Sequence, residues 1–159
     1  MAFTRSFAFV DPQVQWHNAA ITLDYGDTTP GVYMGALWTD TITPLPSQAT
    51  PKYGVAPWDS GEVAGAAPGY DTGGLPLPVL SFAELVGTPG KAAWLVDPLL
   101  WTEATFEASG LLAYRASDDL ALVFHWFGPL GPYDAADGDY EVVPDPTEGF
   151  WRRSFLGPT

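Results

Sequence analysis

Glycine and proline interrupt this chain so often that long helices are excluded. The 159 residues include 17 glycines and 16 prolines, and in a helix interior glycine costs about 1 kcal/mol and proline about 3 kcal/mol relative to alanine. The apolar segments between them are short and recur at intervals of about ten residues, which is typical of strands separated by turns. We therefore predict a mainly β protein, either an antiparallel β-sandwich or a small barrel with long ordered loops.

The chain length predicts one domain with a substantial core. A chain of 159 residues buries roughly 70% of the surface that its unfolded form exposes. Seven tryptophans and an aromatic fraction of 14% supply large side chains for that core. No shift in composition marks a second domain, so we predict a β-rich globular domain over residues 19–159, preceded by an extended arm over residues 1–18.

The arm is predicted because aromatic residues occur there without helical spacing. Phe3, Phe7, Phe9 and Trp16 alternate with polar residues, and residues 11–12 indicate a turn. A segment rich in phenylalanine needs an apolar surface to lie against, so we predict that these four side chains contact a partner. The alternatives are a first strand with core aromatics, or a disordered tail.

Two further segments have contrasting patterns. Residues 19–25 and 32–38 flank a run of turn residues and predict a hairpin. Residues 41–78 contain seven prolines, and proline cannot donate a hydrogen bond to a sheet. We expect these residues to form a long ordered loop.

The segment LALVFHWF at residues 120–127 is apolar at both sets of alternating positions. Such a pattern predicts a central strand that is covered on both faces. Strict alternation would place Leu120, Leu122 and Phe124 on the same face.

The charge and cysteine content exclude several classes of protein. A formal net charge of −13, from 19 acidic and six basic residues, repels phosphate backbones, so the charge argues against direct nucleic-acid binding. With no cysteine, the chain cannot form disulfides or thiolate metal sites. No stretch approaches the ~20 apolar residues of a membrane span, and the apolar run in residues 1–10 is too short for a signal peptide. We expect neither nucleic acid nor membrane as a partner.

Catalytic and metal-binding patterns are also missing from the sequence. The two histidines are His17 and His125, and His125 lies in the most apolar segment, where a hydrogen-bonded core imidazole is the simpler interpretation than a general base. The acidic run at residues 133–141 does not have the spacing of an EF-hand. We interpret it as a solvated loop and leave calcium binding open as an alternative. We predict no catalytic residue, no cofactor and no metal.

Three ordered motifs nevertheless resemble a known family. Residues 61–77 have the sequence GEVAGAAPGYDTGGLPL, residues 96–108 have VDPLLWTEATFEA, and residues 124–128 have FHWFG. Together with residues 35–40 and 110–114, they are similar in order and content to small virion structural proteins of tailed double-stranded DNA bacteriophages. The likeness covers roughly residues 33–128. The chain departs from that family in its longer aromatic N-terminus and in the insertion at residues 66–68.

The resemblance implies a non-enzymatic protein of the virion, made in the host cytoplasm. Because the chain combines a small single domain, an acidic exterior and a predicted arm suited to bridging capsid subunits, we expect a minor capsid or decoration (cement) protein that binds the outer surface of the head and stabilises the shell. Its partners would be the major capsid protein, neighbouring copies of itself, or both. The alternatives are a tail, baseplate or head-fibre component and, from another class, a carbohydrate-binding module with exposed tryptophans.

A second candidate contact lies near the C-terminus. Trp151 stands beside Arg152 and Arg153, a basic pair in an otherwise acidic chain. Aromatic and arginine side chains are enriched at the centres of protein interfaces. The predicted interface residues are therefore Phe3, Phe7, Phe9, Trp16, Trp151, Arg152 and Arg153. The arginine pair could instead serve to neutralise nearby acids.

Overall fold

The computed structural model describes residues 5–85, 89–145 and 150–154, and these residues are mainly β-strand, as the sequence predicts. Ten strands and one helix lie in this part of the chain. In chain order they are β1 (Phe7–Ala8), α1 (Val10–His17), β2 (Tyr33–Trp38), β3 (Leu75–Pro76), β4 (Val79–Glu84), β5 (Lys91–Val96), β6 (Leu99–Ala108), β7 (Gly110–Arg115), β8 (Leu120–Trp126), β9 (Tyr133–Val142) and β10 (Trp151–Ser154). No helix among the described residues has the length and apolar character needed to cross a membrane.

The strands form three antiparallel sheets. The largest has the order β1–β8–β7–β2–β3, the second has the order β10–β5–β4, and β6 pairs with β9 as a two-stranded ribbon. The described strands close no barrel. Of the two predicted architectures, the structure therefore agrees with the sandwich.

One face of the five-stranded sheet packs against the other two sheets. Leu37, Leu111 and Leu122 share a core with Trp94 of β5 and Leu99 of β6, and all five side chains are buried. This core fills the space between the two layers of the sandwich.

The opposite face of the same sheet is equally apolar. Trp38, Leu112 and Phe124 pack there against Trp58 and Phe9. Trp58 belongs to the proline-rich segment, which runs from β2 to β3 and makes only isolated bridges to other strands in the described residues. The expected long ordered loop thus forms a third layer over the sheet.

A bulge in β8 changes which residues share a face. Ala113 of β7 pairs with Val123, and the next residue of β7, Tyr114, pairs with Ala121. Leu122 therefore has no direct partner. Leu122 then packs in the core between the layers, while Phe124 packs beneath the proline-rich segment. The expectation that Leu122 and Phe124 share one face is therefore wrong, although both faces are covered as predicted.

The extended arm is also wrong for residues 10–17, which form helix α1. Asp11 and Pro12 suit a first helical turn, because a carboxylate is favourable near the helix N-terminus and the amide that proline lacks has no partner there. The sequence did not predict this helix, because a helix is usually recognised by apolar residues spaced toward the core. Here Val10 and Val14, four residues apart, face outward.

The residues before α1 belong to the second core, which lies between the five-stranded sheet and the proline-rich segment. Phe7 pairs with Phe124 in β1, and the backbone amide of Phe9 donates to the carbonyl of Leu122 at 3.0 Å. The Phe9 side chain is 0% exposed, and its ring centroid lies 5.8 Å from that of Trp58 in an edge-to-face contact. These residues are therefore not a detached arm.

The predicted hairpin of residues 19–25 and 32–38 does not form. Residues 19–25 contain no strand, and β2 pairs instead with β7 and β3. Leu23 and Tyr25 are buried by packing against the core rather than by strand pairing. Burial without pairing explains why an apolar segment resembled a strand.

We expect the substitution Phe9→Ala to lower the free energy of unfolding by about 3–5 kcal/mol, because it leaves a cavity in a core that cannot fully collapse. Val14→Ala, in the adjacent helix, is the matched control and should change it by less than about 0.5 kcal/mol because its side chain is half exposed. Urea denaturation of both variants measures the difference. Equal stability of the two variants would show that the N-terminal segment does not belong to the core.

Candidate functional site

The glycine-rich motif folds around one carboxylate. Oε1 of Glu62 accepts hydrogen bonds from the Tyr70 hydroxyl at 2.7 Å and from the amide of Gly73 at 2.6 Å. Oε2 accepts from the Tyr53 hydroxyl at 2.8 Å. Three donors within the chain hold this half-buried carboxylate in place, which gives Glu62 a structural role in the motif.

Tyr70 connects this carboxylate to the sheet and to the second motif. Its hydroxyl oxygen accepts a hydrogen bond from the amide of Leu37 at 3.0 Å. Its ring stacks on Trp101 and meets Phe106 edge to face, with ring centroids 6.4 Å and 5.6 Å apart. Burial, followed by the Glu62 carboxylate, raises the pKa of Tyr70 above its usual value. The two motifs therefore form one packed structural unit.

Two glycines of the motif are required by close contacts. Gly69 has φ +77° and would place a Cβ against the backbone of Thr102 and Ala104. Gly74 has φ +75° and would place one against the backbone of Gly35. Both positions combine left-handed backbone with close approach of another strand, which is a structural demand for glycine.

The predicted interface aromatics are more buried than an interaction arm requires. Phe7 and Trp16 are half-buried, and Trp16 contacts the ring of Tyr25 at 5.8 Å. Trp151 is half-buried against Tyr25 and Phe82. Phe9 is enclosed in the core, as described above, so its side chain cannot serve as an anchor for a partner.

For three predicted interface residues the structure does not describe the side chain. Phe3 lies outside the described residues, and for Arg152 and Arg153 the structure gives the backbone, which pairs with Ala93 and Ala92 of β5. Their predicted contacts with a partner remain predictions.

The structure brings the two predicted interface segments together in one groove. This groove has a volume of about 410 Å³, and we name it the N-terminal groove. It is lined by Ala8, Phe9, Val10, Gln13, Val14, His17, Asn18 and Trp151. Of the predicted residues, Phe9 and Trp151 line it, whereas Phe7 and Trp16 do not.

The outer wall of the N-terminal groove is an apolar face of α1. Val10 is 52% exposed and Val14 is 49% exposed, and they lie one helical turn apart. The amide of Val10 donates to the carbonyl of Pro46 at 3.0 Å, which brings exposed Leu45 close to the same helix. Exposed apolar residues grouped beside a groove are typical of protein-binding surfaces.

Sequence reasoning missed Val10, Val14 and Leu45 because it ranked aromatic residues above aliphatic ones. The available signal was the four-residue spacing of Val10 and Val14 next to Asp11-Pro12, which is a helix-start pattern.

The predicted acidic loop is a strand. Residues 133–142 form β9, and no group of histidine, aspartate or glutamate side chains in the described residues is arranged to hold a metal ion. The loop prediction is wrong because pairing with β6, which lies some thirty residues away in sequence, overrides the low strand propensity of aspartate and glycine.

His125 lies against aromatic rings rather than beside a nucleophile. Its imidazole is 5.6 Å from the ring of Phe150 and 6.0 Å from the ring of Phe127, measured between centroids. Burial lowers the pKa of His125, because the charged imidazolium is disfavoured away from water. This placement agrees with a packed imidazole.

The tryptophans give no support to a sugar-binding platform. All seven lie in the described residues; four are buried and three are half-buried, so none is fully exposed in the way that best suits stacking on a sugar ring. The carbohydrate-binding alternative stays a prediction.

No protein family, curated protein or solved structure matched this chain when they were compared with it. The resemblance to virion proteins consequently depends on the motifs themselves. Glu62, Tyr70, Gly73 and Trp101 come from separate parts of those motifs and lie in one connected set of contacts.

We expect Glu62→Gln to lower the free energy of unfolding by about 2 kcal/mol, because an amide replaces a carboxylate that accepts three hydrogen bonds and brings donors of its own. Glu103→Gln is the same substitution at an exposed position and should have little effect. Chemical denaturation compares the two. A normal stability for Glu62→Gln would exclude a structural role for this carboxylate.

The buried tyrosines predict an alkaline limit to stability. Burial raises the pKa of Tyr114 to about 12 and raises the pKa of Tyr33, Tyr70 and Tyr140 as well. The fold favours their neutral form, so this contribution to stability is fully present below the unfolded-state pKa of about 10 and is lost as pH rises through the folded-state values. Tyrosinate absorbance and circular dichroism should therefore change together above pH ~10. Ionisation of most tyrosines at or below that pH, with the dichroism unchanged, would contradict this expectation.

Proposed function

We propose that this chain is a non-enzymatic structural protein of a tailed-bacteriophage virion. Within the virion, we place it on the outer surface of the head as a minor capsid or decoration protein that stabilises the shell. Its partners would be the major capsid protein, neighbouring copies of the chain, or both.

The observation that carries this proposal is the contact network among the motifs that resemble virion proteins. Tyr70 joins Glu62, the amide of Leu37, and the rings of Trp101 and Phe106. The contacts show that the motif residues have structural roles in this chain, as motifs that maintain a fold should. The function itself is inferred from the family that the motifs resemble.

The surface supports a role in adhesion. The N-terminal groove offers exposed Val10 and Val14 beside half-buried Trp151, an arrangement that suits an apolar segment of a partner. A standard interface covers ~800 Å² of each partner, and many copies bound to one lattice gain strength through simultaneous engagement. The contact of each copy can then be modest.

The net charge of −13 has a complementary role. Like charge keeps free copies apart in solution, and a lattice surface of opposite sign would attract them. Such a protein stays separate until its scaffold is present.

The direct experiment is to look for this chain in purified particles of the virus that encodes it. We expect mass spectrometry to detect it and electron cryomicroscopy to place it on the head lattice. Density on the tail or baseplate would replace the head assignment, and absence from particles would overturn the virion proposal.

The groove can be tested on particles that lack this protein. We expect the double variant Val10→Gln and Val14→Gln to weaken binding to such particles at least about tenfold, because it makes the exposed face of α1 polar. The helix itself should be retained, because glutamine has a higher helix propensity than valine. Val55→Gln with Leu80→Gln is the matched control, because both residues are 52% exposed and lie outside the groove. Equal binding by both double variants would rule the groove out as the contact.

A further inference from the structure

Within the described residues, the β6–β9 ribbon has one covered edge and one open edge. The amide of Thr105 in β6 donates to the carbonyl of Pro68 at 3.0 Å, and Gly69 packs on the backbone of the same strand. In contrast, the described residues place no strand and no backbone hydrogen bond along the other side of β9. A ten-residue strand paired on one side presents unpaired amides and carbonyls at its free side.

A cavity of about 400 Å³ lies beside β9. Its apolar surfaces include Phe127 and Tyr140, with the imidazole of His125, and partly exposed Tyr133 and Val143 extend the apolar surface. Phe127 and Tyr140 are 6.5 Å apart between ring centroids, so they form one aromatic patch. The cavity has the volume of a pocket that can take a large apolar side chain.

The charge along this edge has one sign. Asp134, Asp139 and Glu141 line the cavity and are exposed, and none of them forms an ion pair within the described residues. Glu107 of β6 lies directly opposite Asp134, a like-charge pairing that destabilises an isolated ribbon. A cationic partner would relieve this repulsion.

We propose that β9 binds an extended basic segment of a partner protein. The segment would add as a strand along the open edge, pair its cationic side chains with Asp134, Asp139 and Glu141, and place an apolar side chain in the adjacent cavity. The proposal concerns a surface distinct from the N-terminal groove and does not depend on the virion setting.

The charge of β9 argues against β9 of a second copy as the strand that binds this edge. Pairing two copies edge to edge along β9 would bring the same carboxylates face to face. The partner must therefore supply the positive charge. This chain is a poor source of it, because it has only six basic residues against 19 acidic ones.

The test uses the full chain and a fluorescent peptide of about eight residues in which arginine alternates with valine or leucine. We expect saturable binding by fluorescence anisotropy and slower amide hydrogen exchange within residues 133–142. The triple variant Asp134→Asn, Asp139→Asn and Glu141→Gln should bind about tenfold more weakly.

Two controls distinguish strand addition from general attraction between charges. Asp59→Asn, Asp71→Asn and Asp97→Asn together remove the same charge from exposed sites elsewhere, so this variant should bind within about twofold of the unaltered chain. A peptide with N-methyl groups on alternate amides keeps its charge but cannot pair fully with β9, so it should bind poorly.

Four results would overturn the proposal. They are no saturable binding of the arginine peptide, equal losses in the two triple variants, equal binding of the N-methylated peptide, and self-association of the chain through β9 in sedimentation experiments without peptide.

Discussion

The five-stranded sheet is apolar on both faces, and most of the remaining structure follows from the need to cover it. In β8, Leu122 faces one core and Phe124 the other, and neither is exposed. Two smaller sheets cover the first face. The proline-rich segment and Phe9 cover the second, and this makes a segment without regular strands as necessary to the core as the strands themselves.

The proline-rich layer is attached to the sheet by backbone hydrogen bonds, such as that from the amide of Val63 to the carbonyl of Leu37 at 2.9 Å, and also by side chains. The indole of Trp38 donates to the carbonyl of Ser60 at 3.0 Å, and Glu62 collects three donors within the same stretch of chain. The glycine-rich motif looks like a ligand-binding loop in sequence, but its polar groups are satisfied internally. Glu62 therefore has a structural role in this layer.

The strands with strong apolar periodicity were predictable from sequence, and the elements determined by tertiary contacts were not. Residues 120–127 were apolar enough to indicate a central strand, and β8 includes most of them. β9 was missed because its aspartates resemble a loop, and only its pairing with β6 makes it a strand. α1 was missed because Phe9 at its N-cap position makes no side-chain cap and its regularly spaced valines face outward.

The same physics explains why the predicted interface residues were partly wrong. Aromatic side chains have the most to gain from burial, so in a chain with enough core they are the first to be enclosed. Phe9 followed this rule, and the surface beside it was left to Val10 and Val14. The predicted residues Phe9 and Trp151 both line the N-terminal groove. The sequence did not show which side chains of the groove are exposed.

The N-terminal groove and the β9 edge differ in how they would respond to their surroundings. Contacts of valine and tryptophan change little with ionic strength, because burial of apolar surface does not depend on screened charge. Contacts of Asp134, Asp139 and Glu141 act over a distance of about 10 Å at moderate salt and weaken as salt rises. If both proposals hold, charge would govern encounter of β9 with its basic partner and apolar burial would govern retention of a partner in the groove, so added salt should slow association at β9 and leave dissociation from the groove nearly unchanged.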